Sequence, residues 1–315
     1  MRIGLVGKPN VGKSTTFSAL TETPVEIANY PFTTIEPNIG VAYVKSDCAC
    51  KHFAITHDNE LCVNGTRFIP VKLIDVAGLV PGAHEGKGLG NQFLDDARQA
   101  EVLIHVVDIA GTTDIQGQPI PVGTHDPLED IEFVQDEFDQ WFVDILKREW
   151  DKITREIDQK RAKLTDGIAK RFSGLGINDY QVHDVLQKLG FISRNPKEWE
   201  DSDIQTFAKE LRKNTKPMII AANKADLCKD LEIIKKISDD VIPCSAETED
   251  QVLKIAHDLK NTDVSIYRAG IWKPRTRPGM FEGVGAIGLK WLDKVKKETG
   301  LLTATEVANA SHVKL

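Results

Sequence analysis

Cysteine is scarce in this chain: Cys48, Cys50, Cys62, Cys228 and Cys244 are the only five among 315 residues, odd in number and unevenly spaced. That pattern argues against a disulfide framework and suits a reducing compartment. Long apolar runs are missing too. No stretch approaches the ~20 residues that span a bilayer, which excludes a membrane helix. Positive charge is not in surplus, with 40 Lys and Arg against 47 Asp and Glu and a formal net charge of −7. Attraction to nucleic acid by bulk charge is thereby excluded, so any RNA contact would need a local basic patch. No internal repeat or low-complexity tract occurs. The first apolar segment, Arg2 to Val6, runs straight into a glycine loop and leaves no room for a signal peptide. A soluble, cytoplasmic protein is expected.

What is present is enough apolar residue, 41%, for a sizeable core, and a length that suits two or three units. Short runs at Ile3–Val6, Val71–Ile74, Val102–Val107 and Met218–Ala222 read as buried strands, each ending in a loop with charged or motif residues. This is the βαβ alternation of an α/β fold with a doubly wound, mostly parallel sheet. Val41–Val44 and a segment near Phe68 add an antiparallel edge. Between Asp126 and Lys213 the pattern turns helical: Ile131, Val134, Phe138, Trp141, Ile145, Ile153, Ile157, Leu164 and Ile168 recur at near-helical spacing. Gly174-Leu175-Gly176 breaks this stripe, and short helices follow around Tyr180–Leu189 and Ser202–Lys213, with Ser202 as N-cap. The stripe reads as packed core of an all-helical, coiled-coil-like insertion that begins with a long helix. The division expected is residues 1–110 and 215–262 for one unit, 111–214 for the insertion and 263–315 for a tail.

Four motifs stand in order on this framework. Gly7-Lys8-Pro9-Asn10-Val11-Gly12-Lys13-Ser14 lies between a strand and a helix, where backbone N–H groups cradle a β-phosphate. Gly7, Asn10, Val11, Gly12, Lys13, Ser14 and Thr15 are its candidate phosphate contacts. Lys13 would bridge β- and γ-phosphates, and Ser14 would ligate Mg²⁺. Asp75-Val76-Ala77-Gly78 supplies Asp75 for Mg²⁺ through a water and the Gly78 N–H for the γ-phosphate. Thr34 of Tyr30-Pro31-Phe32-Thr33-Thr34 is the further Mg²⁺ ligand, with Thr33 as the alternative. Asn223-Lys224-Ala225-Asp226 and Ser245-Ala246 read the base: the Asp226 carboxylate matches guanine's paired N1–H and 2-amino donors, which adenine lacks. Asn223 would bond the ring and brace the phosphate loop, the Lys224 stem would cover a ring face, and the Ala246 N–H would meet O6. Together these motifs define a P-loop NTPase selective for GTP and GDP.

Catalytic roles fall to Lys13, Thr34, Gly78 and Asn10. Ras-type enzymes carry a water-orienting glutamine after Asp-x-x-Gly, where this chain has Leu79, so unaided hydrolysis is expected to be slow. Asn10 is a candidate K⁺ ligand beside the phosphates, though asparagine also suits a tight loop sterically. Gly82, Gly86, Gly88 and Gly90 make the following segment costly to order, as a γ-phosphate-dependent switch would be.

The run Gly7–Ser14, the run Tyr30-Pro31-Phe32-Thr33-Thr34-Ile35-Glu36-Pro37-Asn38-Ile39-Gly40, and Asp75 to Leu94 resemble the Obg superfamily of translation GTPases. The helical insertion makes the chain most similar to its YchF-type branch in archaeal form, over roughly residues 1–300. The resemblance implies a cytosolic Mg²⁺-dependent GTPase switch that associates with ribosomes or translation factors. Many YchF-type proteins have an altered base motif and accept ATP, whereas Asn223 and Asp226 keep the guanine form. Family members end in a ubiquitin-like TGS domain, which the Thr303–Leu315 stretch does not begin; direct RNA contact through it is therefore left open. Two other readings stay open: a nucleotide-gated binding module with negligible unaided hydrolysis, and a YchF-like ATPase.

Several residues fall outside these motifs. Cys48, Cys50, Cys62, His52 and His57 could bind Zn²⁺, but their spacing is not a usual finger pattern, and a thiol-containing hairpin is the preferred reading. His84 is read as a solvated loop histidine, with a catalytic role as the alternative. Cys228 and Cys244 read as small filler beside the base-reading loops. The basic loop Lys273–Gly279 reads as a solvated connector.

Overall fold

The computed structural model describes residues 1–21, 38–55, 61–63, 65–85, 90–159, 163–228, 241–247, 266–268 and 287–305, with single positions at 237, 256 and 260. Its centre is a seven-stranded sheet in the order β2-β4-β1-β5-β6-β7, with β3 also paired to β4. The strands are β1 Arg2–Val6, β2 Asn38–Asp47, β3 Cys62–Val63, β4 Thr66–Asp75, β5 Val102–Asp108, β6 Met218–Asn223 and β7 Val241–Pro243. From β4 through β1, β5 and β6 to β7 every pairing is parallel. The expected antiparallel edge is present, since β2 pairs with β4 over ten residues from Asn38↔Asp75 to Asp47↔Thr66.

Strand chemistry follows position. β1 and β5 are central and read almost wholly apolar, as strands covered on both faces must. β2, at the edge, buries only Ala42. Between the strands run α1 Lys13–Thr21, α2 Ala49–Phe53 and α3 Gly90–Gln99. The carboxyl ends of β1, β4, β5 and β6 point to one rim, where an open α/β sheet binds its ligand.

The helical insertion consists of α4 Pro127–Asp158, α5 Leu164–Phe172, α6 Asp179–Lys188 and α7 Asp201–Thr215. α4 starts where Asp126 accepts from the Leu128 N–H and Pro127 occupies the first turn. Gly176, at φ 72°, ends the turn after α5 in the left-handed conformation that glycine adopts without strain. α7 begins earlier than expected. Ser202 is not its N-cap: the Glu200 N–H donates to the Asp203 carboxylate, which Arg194 also grips at 2.7 and 2.8 Å, and this fixes the start at Asp201. Of the predicted stripe, Val134, Phe138, Ile153 and Ile168 are inaccessible and Ile131 and Trp141 buried, while Ile145, Ile157 and Leu164 are partly buried against them; Phe142 and Leu146, outside the predicted stripe, join the core. It forms one hydrophobic cluster with Val6, Ile74, Leu79, Phe93 and Leu103 of the sheet layer. The buried Arg212–Asp139 ion pair, at 2.7 Å, ties α7 to α4.

β8 Ile266–Arg268 and β9 Leu302–Ala304 form a separate two-stranded parallel sheet, with α8 Ile287–Thr299 between them in sequence.

Candidate nucleotide site

The phosphate loop, residues 7–14, leaves β1 and enters α1. Gly7 and Gly12 take φ of 149° and 94°, and Asn10 sits at φ 60°. A Cβ on Gly12 would lie 2.3 Å from Asn223 Nδ2, so this close approach admits only glycine. Lys13 is buried, and its Nζ donates to the Lys8 carbonyl at 2.8 Å. Burial lowers its pKa to about 8, with nearby Asp75 opposing the shift. A triphosphate tail would restore the ammonium. Thr15 occupies the first turn of α1, half-buried beside Ser14.

Asp75 ends β4 one strand away. Ser14 Oγ donates to its Oδ2 at 2.6 Å, bringing two of the expected metal ligands together. The other carboxylate oxygen, Oδ1, is buried with no hydrogen-bond partner. Burial raises the pKa of Asp75, against the pull of Ser14 and Lys13. A carboxylate held dry with an orphaned oxygen beside a hydroxyl suits Mg²⁺, which would neutralise β- and γ-phosphate oxygens when bound. The third expected ligand, Thr34, and its alternative Thr33 lie outside the described residues. Gly78 packs on Pro9, and the Leu79 N–H donates to the Gly7 carbonyl at 3.0 Å, so the Asp-x-x-Gly turn rests on the phosphate loop.

At the base end, Asn223 closes β6 and does what was expected of it toward the loop: Nδ2 donates to the Val11 carbonyl at 2.8 Å. Its Oδ1 accepts from the Ala246 N–H at 3.0 Å, and Ser245 Oγ donates to Asp226 Oδ1 at 2.5 Å. One asparagine thus joins the phosphate loop to the turn expected to read the base. The Lys224 ammonium bridges the Asn10 carbonyl, Asp108 and Thr112 at 2.9–3.0 Å. Asn10 Nδ2 donates to the Gly117 carbonyl at 2.8 Å, so only its carbonyl end can turn to a cation.

Several supporting groups carry no motif in the sequence. Lys8 is fully buried and paired with Asp130 of α4 at 2.7 Å, while His125 also meets Asp130 at 2.7 Å. Burial lowers the Lys8 pKa and raises that of Asp130. Asp108 accepts from Thr112, Thr113 and Lys224. Glu137 of α4 accepts from the Gly82 N–H at 2.5 Å, the His84 N–H at 3.0 Å, and meets His84 Nδ1 at 2.6 Å. His84 is therefore not a solvated loop histidine; its ring is held by Glu137. No motif could reveal these partners: Lys8 with Asp130, Asp108 with Lys224, and Glu137 with Gly82 and His84 lie more than 50 positions apart, and only His125 with Asp130 and Asp108 with Thr112 and Thr113 are local.

Strand order, glycine loop and the Lys13–Ser14–Asp75 cluster define a P-loop NTPase. The model of the 50S ribosome-binding GTPase family matches residues 2–143. A GTP-binding protein of Methanocaldococcus jannaschii is 50% identical over 254 residues, 78% of this chain and 63% of that one. The ribosome-binding ATPase YchF of Mycoplasma genitalium is 35% identical over 226 residues, 71% of this chain and 56% of its own. Among solved structures, a GTP-binding protein from Pyrococcus horikoshii matches with TM-score 0.66 and 36% identity, over 94% of this chain and 74% of that one. The chain belongs to the Obg superfamily, in its YchF-type branch. It spans less than two thirds of the curated relatives just described. A different model, that of the DAHP synthetase I family, matches residues 241–315. That segment holds β8, α8 and β9, and also Ser245 and Ala246.

Proposed function

We propose that the chain binds GTP and GDP with Mg²⁺ and hydrolyses GTP slowly, as a conformational switch read by a ribosome or translation factor in the cytoplasm. The observation that carries this reading is Asn223, which braces Val11 on one side and Ala246 on the other, with Asp226 beside it on Ser245. In this reading the Asp226 carboxylate meets the purine edge, while Asn223 fixes the loop that takes the phosphates. A carboxylate suits guanine and leaves adenine unpaired, a discrimination worth roughly 10⁴ where pairing is buried. Lys13, Ser14, Asp75 and Thr34 are assigned to the triphosphate and its metal, Gly78 to the γ-phosphate, and Asn10 to K⁺. Residues 1–110 and 215–262 form the nucleotide-binding unit in this reading, and 111–214 the arm. The ribosome assignment draws on the names of the matched family and of the Mycoplasma relative. No described helix is long and apolar enough to cross a membrane.

Calorimetric titration with GTP, GDP and ATP, each with Mg²⁺, tests it. GTP should bind at least tenfold more tightly than ATP, and Asp226→Asn should move preference to xanthosine nucleotides. Equal binding of GTP and ATP would refute the base-site assignment. Single-turnover hydrolysis in K⁺ and in Na⁺, with and without ribosomes, separates a switch from a binding module.

A further inference from the structure

The hairpin of β2 and β4 extends away from the nucleotide rim and ends in a tip with little core among the described residues. α2 buries no residue, β3 has two residues, and Phe53 and Ile55 are 66% and 60% exposed. At this tip three thiols converge. Cys48 follows β2 as the N-cap of α2, Cys50 lies in the first turn of α2, and Cys62 comes from β3. Their sulfur atoms all lie within 4.8 Å of one another, and Cys50 and Cys62 are 3.7 Å apart. Zinc bound tetrahedrally at about 2.3 Å from each sulfur sets sulfur atoms ~3.8 Å apart. The Cys-x-Cys spacing that looks awkward in sequence is resolved by the backbone. The Lys51 N–H donates to the Cys48 carbonyl at 3.0 Å, and this turn sets both side chains toward Cys62.

We infer that Cys48, Cys50 and Cys62 form a zinc site that staples the tip of the β2–β4 hairpin. Three thiolates and one exchangeable position complete a tetrahedron, and the thiol protons leave to solvent as the metal binds. His52 is not in the cluster; its ring stacks edge-on against Phe53. His57 lies outside the described residues. The hydrogen bond that the Cys50 thiol gives to Cys48, with burial and Cys62 adding to it, holds that thiol up at about 11, because crowded sulfurs resist ionising together. A divalent cation reverses that balance. The metal supplies what the tip's hydrophobic contacts do not, as in small domains that depend on it for folding. Ten residues of β2, at about 3.3 Å each, put the site roughly 30 Å from Asp75, too far to act on the phosphates directly.

The test is elemental analysis of the full chain purified under reducing conditions, then zinc titration of the chelator-stripped, reduced protein. One zinc per chain is expected, with cobalt substitution giving a thiolate-to-metal charge-transfer band. Cys50→Ser and Cys62→Ser should each weaken zinc by more than about 100-fold, beyond what a merely supporting contact costs. GTP affinity should stay at the wild-type value in both. Absence of zinc binding at micromolar metal, wild-type affinity in either variant, or a Cys50–Cys62 disulfide in the freshly purified chain would each overturn the assignment.

Discussion

Removing the Glu137 carboxylate tests whether the helical arm holds the loop that follows Gly78. In the structure one carboxylate takes three donors from that loop: two backbone N–H groups, of Gly82 and His84, and the His84 ring. Hydrogen bonds to a charged group contribute about 1.5–3 kcal/mol each, and three on one carboxylate overlap rather than add. Glu137→Ala should therefore cost about 3 kcal/mol locally, a roughly 100-fold rise in the open population of the loop. Glu137→Gln keeps one accepting oxygen without the charge and should fall between. Amide hydrogen exchange at Gly82 and His84 reads the opening directly, and thermal unfolding reads how much of the cost is global. Because Gly78 and Leu79 lie on the phosphate loop, the ratio of GTP to GDP affinity should shift as well. Unchanged exchange at both amides in Glu137→Ala would show that the clamp does not hold the loop.

Three further outcomes are expected. Lys13 sits at about 8 instead of 10.5. Between those values the unfolded chain keeps a proton that the nucleotide-free fold has lost, so this group's contribution to stability rises with pH across that window and is flat below it. Triphosphate binding favours the ammonium and so takes up a proton near pH 9, which calorimetry in buffers of different ionisation heat would detect; no uptake refutes the shift. Leu79→Gln should not create a Ras-type water-orienting residue, because the Leu79 side chain is 1% exposed inside the core shared with α4. An amide buried there costs about 1–3 kcal/mol, so thermal stability should fall while single-turnover hydrolysis does not rise. Gly12→Ala should abolish nucleotide binding with the circular dichroism spectrum retained, since the new methyl would displace Asn223 Nδ2 from 2.3 Å; binding within tenfold of wild type would contradict the close approach.

Local motifs were the legible part of the sequence. Gly7–Ser14, Asp75–Gly78 and Asn223–Asp226 each follow a buried strand, and parallel pairing brings the ends of β1, β4 and β6 to one rim. The arm's stripe was legible because burial follows helical spacing from Val134 to Ile153. Long-range pairs were not legible. Lys8 with Asp130 and Gly82 with Glu137 join segments whose proximity depends on how α4 lies against the sheet, and no spacing encodes that. The Ser202 cap failed for a related reason, since the Arg194–Asp203 pair selected an earlier start. The likeness expected over residues 1–300 meets a second pattern near its end. Residues 241–315 match the DAHP synthetase I model, and β8 and β9 pair with each other, not with the central sheet. Ser245 and Ala246 lie within both patterns, so their place beside Asp226 and Asn223 weighs more than their spelling. The basic loop Lys273–Gly279 lies outside the described residues.

One apolar cluster runs without a break from Val6 and Leu103 into Phe142 and Phe207, so the helices of residues 127–215 and the central sheet share a core. Helices packed into the sheet's own core in this way feel any shift of the strands beside them. Whatever moves when the bound nucleotide changes must either carry both parts together or be confined to loops that rest on their common seam.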